Sequence, residues 1–119
     1  MSSEKSHLDQ SKHNNEFLKQ IRSQKFYDWV ATTMFYTALH QIDFYLAKKN
    51  IHPINHKVRR AIVNKSFRIE FYKSFRNLEE ACYDARYKPD EWKKSLNSIT
   101  LKELEEDLKL IRNGANASN

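Results

Sequence analysis

The sequence predicts an all-α fold: an antiparallel bundle of four to five helices built around one long, aromatic-rich second helix. Three observations carry this. Gly occurs once and Pro twice in 119 residues, whereas sandwiches and barrels need many turns, which use both. Aromatic side chains make up 13% of the chain, enough large apolar area to drive burial. Between Phe26 and Ala47 the only formal charges are Asp28 and Asp43, too few for a helix with an ordinary solvent face. A chain of this length holds one domain.

Taken in order, residues 1–13 are mostly Ser, Lys, His, Asp and Gln and read as a frayed polar tail. A single bundle domain spans 14–113. Its first helix, Asn14 to Arg22, carries Phe17, Leu18 and Ile21 at helical spacing, and Ser23 is a candidate cap for the next. The second helix, Lys25 to Lys49, has two unequal faces at about 100° per residue. One holds Tyr27, Ala31, Met34, Phe35, Ala38, Leu39, Ile42, Tyr45 and Leu46; the other holds Trp29, Thr32, Thr33, Tyr36, Thr37, His40 and Asp43. Neither is a Lys/Glu face. The remaining helices of so short a chain are too few to cover both, so part of this helix is expected at a homodimer contact.

Asn50 suits a helix C-terminus and Pro53 stops continuation. Asn55 is the expected N-cap of a third helix, His56 to Phe67, with Val58, Ala61 and Ile62 toward the core. A fourth helix, Glu70 to Tyr87, places Phe71, Phe75, Leu78, Cys82 and Ala85 on one seam, and Lys88-Pro89 ends it. Trp92 and Leu96 belong to a short turn or helix. Thr100 and Glu103 have capping-box spacing before Leu101, Leu104, Leu108 and Ile111. Gly114 is the expected C-terminal stop, and 114–119 a flexible tail.

The net charge of +6 is unevenly spread. From His56 to Arg76 lie Lys57, Arg59, Arg60, Lys65, Arg68, Lys73 and Arg76 against Glu70 alone. Such a segment fits a polyanion-binding face as well as a solvated one. Lys57, Arg60, Lys65, Arg68, Lys73, Arg76 and Arg86 are the candidate nucleic-acid contacts. No run of 18 apolar residues and no leader-like N-terminus occurs, so a cytoplasmic protein without membrane contact is expected. The lone Cys82 excludes an internal disulfide and a Cys-based zinc site.

One Gly rules out a Gly-rich phosphate loop, and HExxH, GxSxG and CxxC are missing. No cofactor is expected. The candidate catalytic residues are polar side chains on otherwise apolar helices: His40, Asp43, His56 and Arg59. His40 and Asp43 are three apart and neighbours on a helix, with Tyr36 one turn before. A carboxylate beside an imidazole serves a general base, and equally a satisfied half-buried histidine. Arg59 borders Ile62 on the wheel, so it leans inward and needs an acid, for which Asp43 is the candidate. His40, Asp43, His52 and His56 include zinc-ligand types, but Pro53 keeps His52 and His56 off one helix face, and no metal is expected.

The run His13-Asn14, Phe17-Leu18, Asp28-Trp29, Thr32, Phe35-Tyr36, Ala38-Leu39-His40, Ile42-Asp43, Tyr45-Leu46-Ala47, His52-Pro53, His56 and Arg59 is distinctive. With the later Tyr72, Leu78 and Ala85-Arg86-Tyr87, it resembles a small group of HEPN-like proteins over nearly everything between residues 13 and 88. The resemblance implies an often dimeric helical bundle. It also implies a metal-independent RNase, a toxin of a toxin–antitoxin pair, or a non-catalytic binding module. The RNase type carries an Arg, four to six residues and a His. Here Arg76-Asn77 starts the motif, but Ala81, Cys82 and Tyr83 stand where the His belongs.

The expected function is therefore a module binding RNA or a nucleotide, or a protein partner such as a nucleotidyltransferase-like protein in a defence-type system. The alternative is an RNase with a displaced site using His40, His56 and Arg59.

Overall fold

The computed structural model describes residues 3–22, 27–88 and 98–114. Within them the chain is all-helical: α1 (Glu4–Arg22), α2 (Tyr27–Ala47), α3 (His56–Ser66), α4 (Ile69–Tyr87) and α5 (Ser98–Arg112). Ser23, Pro89, Trp92, Leu96, the tail beyond Gly114 and the side chains of Ile21 and Tyr27 lie outside the described residues. Among the described residues, no helix is long and apolar enough to cross a membrane. The Cα radius of gyration is 13.9 Å, against about 13.5 Å for a packed chain of this length.

Helix α2 is the hub. It packs against α1, α4 and α5, while α4 also packs against α5 and α3. Its first face forms the centre of the core: Ala31, Met34, Phe35, Ala38, Leu39, Ile42 and Leu46 are all buried. The expected α4 seam, Phe71, Phe75, Leu78, Cys82 and Ala85, is buried against it, as are Leu101, Leu104, Leu108 and Ile111 of α5. Much of the second face of α2 is covered too. Thr33, Thr37, Gln41 and Asp43 are buried, which leaves a strip of Trp29, Thr32 and Tyr36 accessible.

Asn50 adopts φ 57° at the end of α2, the left-handed conformation that Asn tolerates. Asn55 caps α3, its side-chain oxygen accepting from the Val58 N–H at 2.8 Å. At the far end, Tyr45 Oη shares its one proton between the carbonyls of Ile111 and Arg112, at 3.1 and 3.0 Å, two of the acceptors that a helix C-terminus leaves open.

Four expectations need correcting. Residues 4–13, read as tail, are helical and continuous with the first helix. Their hold on α2 is polar: Ser11 is buried and its hydroxyl donates to the Thr37 carbonyl at 3.0 Å, while Lys48 pairs with Glu4 at 3.9 Å. A polar seam has no apolar period to announce it. Second, α3 is turned from its expected orientation. Ile62 packs against the core as expected though only partly buried, but Val58 is partly buried and Ala61 exposed, while Arg59, Val63 and Phe67 are buried. The carboxylate of Asp43 draws Arg59 inward, and Phe67 stacks on Phe71 at 4.2 Å. Third, α5 begins at Ser98, so Thr100 lies inside its first turn rather than at a cap. Finally, Gly114 has no positive φ. It is seated on the Phe71 ring, where a Cβ would overlap that ring's edge, the next ring carbon lying at 3.0 Å. The glycine is needed for close approach, not for a turn.

Candidate functional site

The sequence offers His40, Asp43, His56 and Arg59 as candidate catalytic residues. The structure divides them between two clusters. Asp43, Arg59 and His56 form one hydrogen-bonded chain. Arg59 Nε and Nη2 donate to the two Asp43 oxygens at 2.8 and 2.9 Å, a bidentate pair with both side chains buried. Arg59 Nη1 lies 3.1 Å from His56 Nδ1. A guanidinium only donates, so His56 Nδ1 accepts and the ring N–H sits on Nε2. With these bonds made inward, Arg59 staples α3 to α2 and offers little to a ligand.

His40 is not hydrogen-bonded to Asp43. Its Nδ1 faces His7 Nδ1 of α1 at 3.1 Å, with the rings 5.4 Å apart. His7 was missed because it falls in the segment read as tail; its spacing from Ser11, one turn later on the same helix face, was the available signal. The contact accommodates one proton between the two facing nitrogens, donated by one ring to the other. Burial foremost, then the neighbouring His7, pushes the His40 pKa below its ordinary 6.5; Asp43 opposes this and Arg59 adds to it.

A folded-state value below the unfolded one means that the unfolded chain binds more protons. The stabilisation from neutral His40 is therefore complete above about pH 6.5 and is lost as pH falls below it. Thermal melts between pH 7.5 and 5.5 should show Tm falling, and His40→Gln should flatten that fall. Amide exchange should locate the early opening in residues 4–11 of α1.

The accessible strip of α2 is the floor of a trough made of three adjoining cavities. The first, about 310 Å³, is lined by Gln10, Asn14, Phe17, Trp29, Thr32, Thr33, Tyr36 and His40. The second, about 600 Å³, takes in Asp28, Trp29, Thr32, Tyr36, Ala85 and Arg86. The third, about 750 Å³, lies between α3 and the second half of α4 and includes Phe35, Tyr36, His56, Arg60, Arg76, Tyr83, Arg86, Tyr87 and Lys88. Tyr36 borders all three. The aromatic rings along the trough are open to solvent: Phe17 is 44%, Trp29 58%, Tyr83 55% and Tyr87 62% exposed. Tyr83 and Tyr87 lie 4.9 Å apart, one turn from each other on α4. Between the two halves stands Arg86, 3.5 Å from the Tyr36 hydroxyl and 5.5 Å over the Tyr87 ring.

Of the seven expected nucleic-acid contacts, Arg60, Arg76 and Arg86 line the trough. Lys57, Lys65, Arg68 and Lys73 are exposed but line none of its cavities. Cys82 sits in the wall of the third cavity, and burial raises its thiol pKa, so it remains a thiol rather than a nucleophilic thiolate. Among the described residues, no group of three or more His, Cys, Asp or Glu side chains is arranged to hold a metal ion. No family model, curated protein or solved structure matches the chain.

Proposed function

We propose that this chain is a HEPN-like, non-catalytic helical module that binds single-stranded RNA along the α2–α4 trough. The observation that carries this reading is a row of rings with cations among them: exposed Phe17 and Trp29 and partly buried Tyr36, then Arg86, then exposed Tyr83 and Tyr87 with Arg60, Arg76 and Lys88, beside the carboxylates Asp28, Glu79, Glu80 and Asp84. Every base has a π-face, so a row of rings with interspersed cations holds a strand without reading its sequence. A duplex hides those faces and would meet the rings poorly. The bundle with its long central helix agrees with the family resemblance. The missing late histidine, and an Arg59 engaged by Asp43 and His56, favour binding over cleavage.

Fluorescence anisotropy with a labelled oligo(U) strand tests this. Trp29→Ala should weaken binding by about 5- to 150-fold, the range for one lost base stack. Arg86→Ala should weaken it too and lower the slope of log K against log salt by about 0.7. Lys57→Ala, Lys65→Ala and Lys73→Ala, outside the trough, should act weakly. An intact protein with no affinity for the strand in about 20 mM salt, where phosphate contacts are strongest, refutes the proposal.

A second reading rests on Trp29 itself. A large exposed ring on a helix face without Lys or Glu also suits contact with a second copy of the chain. Sedimentation across a micromolar range separates the two. Under this reading Trp29→Ala gives a monomer, whereas under the first it leaves the mass unchanged.

A further inference from the structure

We infer that Arg60 and Arg76, braced from beneath by Glu79, form a seat for a phosphate monoester in the third cavity of the trough, with Glu80 as its displaceable counter-ion. Arg60 comes from α3 and Arg76 from α4. One carboxylate joins them: Glu79 Oε2 accepts from Arg60 Nη1 at 3.1 Å, and Glu79 Oε1 accepts from Arg76 Nη1. The Glu79 side chain is 11% exposed, less than Arg60 at 36% or Arg76 at 30%. The carboxylate thus lies deeper than the guanidiniums it holds. Each guanidinium has five N–H donors in a fixed fork; Arg60 engages one on Glu79, and Arg76 one on Glu79 and one on Glu80. The others remain for a ligand in the cavity that both residues line.

The two glutamates differ in kind. Glu79 fixes the distance between two guanidiniums that would otherwise repel and splay, and its loss leaves them without a common anchor. Glu80 is 63% exposed and, among the described residues, pairs with Arg76 alone, at Nη2 and 3.1 Å. Such an exposed pair is weak, and a ligand oxygen replaces it readily. When Glu80 swings away, the two arginines, Arg86 and Lys88 outnumber Glu79 and Asp84 around the cavity. A monoester carries close to two negative charges at neutral pH and three equivalent oxygens, whereas a diester within a chain has one charge and two free oxygens. Two converging forks favour the former, as does the strength of charge-assisted bidentate contacts. The seat rests on the proposed function in taking this cavity as part of the ligand trough, but it makes its own demand: an end group, not a strand.

The test is calorimetric titration of the full chain with uridine 5′-monophosphate, uridine and inorganic phosphate. The monophosphate should bind at least tenfold more tightly than uridine, and inorganic phosphate should compete with it. Glu79→Gln should weaken the monophosphate about tenfold, while Glu80→Gln should tighten it about threefold. Because Glu79→Gln removes a link between α3 and α4, Arg60→Lys serves as the second variant. It keeps the charge and an ammonium that reaches Glu79, loses the fork, and should weaken the monophosphate in a folded protein. Equal binding of uridine and its monophosphate, or tightening by Glu79→Gln as by Glu80→Gln, overturns the seat. Oligo(U) binding without a monophosphate preference overturns the seat and leaves the trough standing. Monophosphate binding without oligo(U) binding supports the seat and sinks the trough.

Discussion

Asp43→Ala should destabilise the protein by about 3–5 kcal/mol, the range for removing one partner of a buried ion pair. The cost comes from what remains. Arg59 is buried, and two of its donors point at the Asp43 oxygens from 2.8 and 2.9 Å. Without the carboxylate, a guanidinium that cannot lose its proton sits in a water-poor site with those donors unmatched. It either stays there unsolvated or drags α3 outward, which opens Val63 and Phe67 to water. Since a domain of this size has a total stability of about 5–15 kcal/mol, urea titration should show the midpoint fall by about a fifth or more. The double change Asp43→Leu with Arg59→Met should recover most of the loss, because well-packed apolar replacements of buried ion pairs are often neutral. A double variant as unstable as Asp43→Ala would show that the pair does more than hold helices together.

Phe71→Ala should cost about 3–5 kcal/mol, the range for truncating a fully buried aromatic residue. Phe71 has no exposed surface and stands where three elements meet. It stacks on Phe67 at 4.2 Å, with planes 11° apart, lies 6.4 Å from the Tyr45 ring of α2, and bears Gly114 just beyond α5. Truncation leaves a cavity that the chain cannot easily close, since Tyr45 also holds the end of α5 by its hydroxyl. The Gly114 contact supplies a check that an ordinary core residue would not. Gly114→Ala in the native background should cost about 1–3 kcal/mol, as overpacking does. In the Phe71→Leu background that penalty should shrink, because the ring edge it meets is gone. Chemical denaturation of the four proteins gives the coupling directly; simple additivity would mean that Gly114 is required for another reason.

How much of this was legible in advance varies by element. The α4 seam from Phe71 to Ala85 and the α5 stripe from Leu101 to Ile111 were readable because each has one apolar face and one charged one. In α3 the pattern was ambiguous. The strip of Val58, Ala61 and Ile62 competes with the strip of Arg59, Val63 and Phe67, and apolar spacing alone favours the wrong one. The choice depends on a carboxylate 16 residues upstream and on a ring in the next helix. The candidate site behaves similarly. That Asp43 would meet Arg59 was inferable from the need of an inward-leaning arginine for an acid. That His40 would meet His7 was not, because α1 docks its first turns by hydrogen bonds rather than by a greasy stripe.

Composition and periodicity alone thus determine that the chain is helical, that α2 lies at the centre, and that Asn50 and Asn55 mark the turn between α2 and α3. These are local properties: backbone preference, capping geometry and the side on which apolar side chains recur. Only the tertiary structure decides which cations share a cavity with exposed rings. Lys57 and Arg60 are three apart on one helix, yet only Arg60 reaches the trough, drawn to Glu79 of α4. The physical reason is range. Helical periodicity reports the side of a helix that avoids water, but a charged side chain is placed by the opposite charge it finds on another helix, and that partner is fixed by packing.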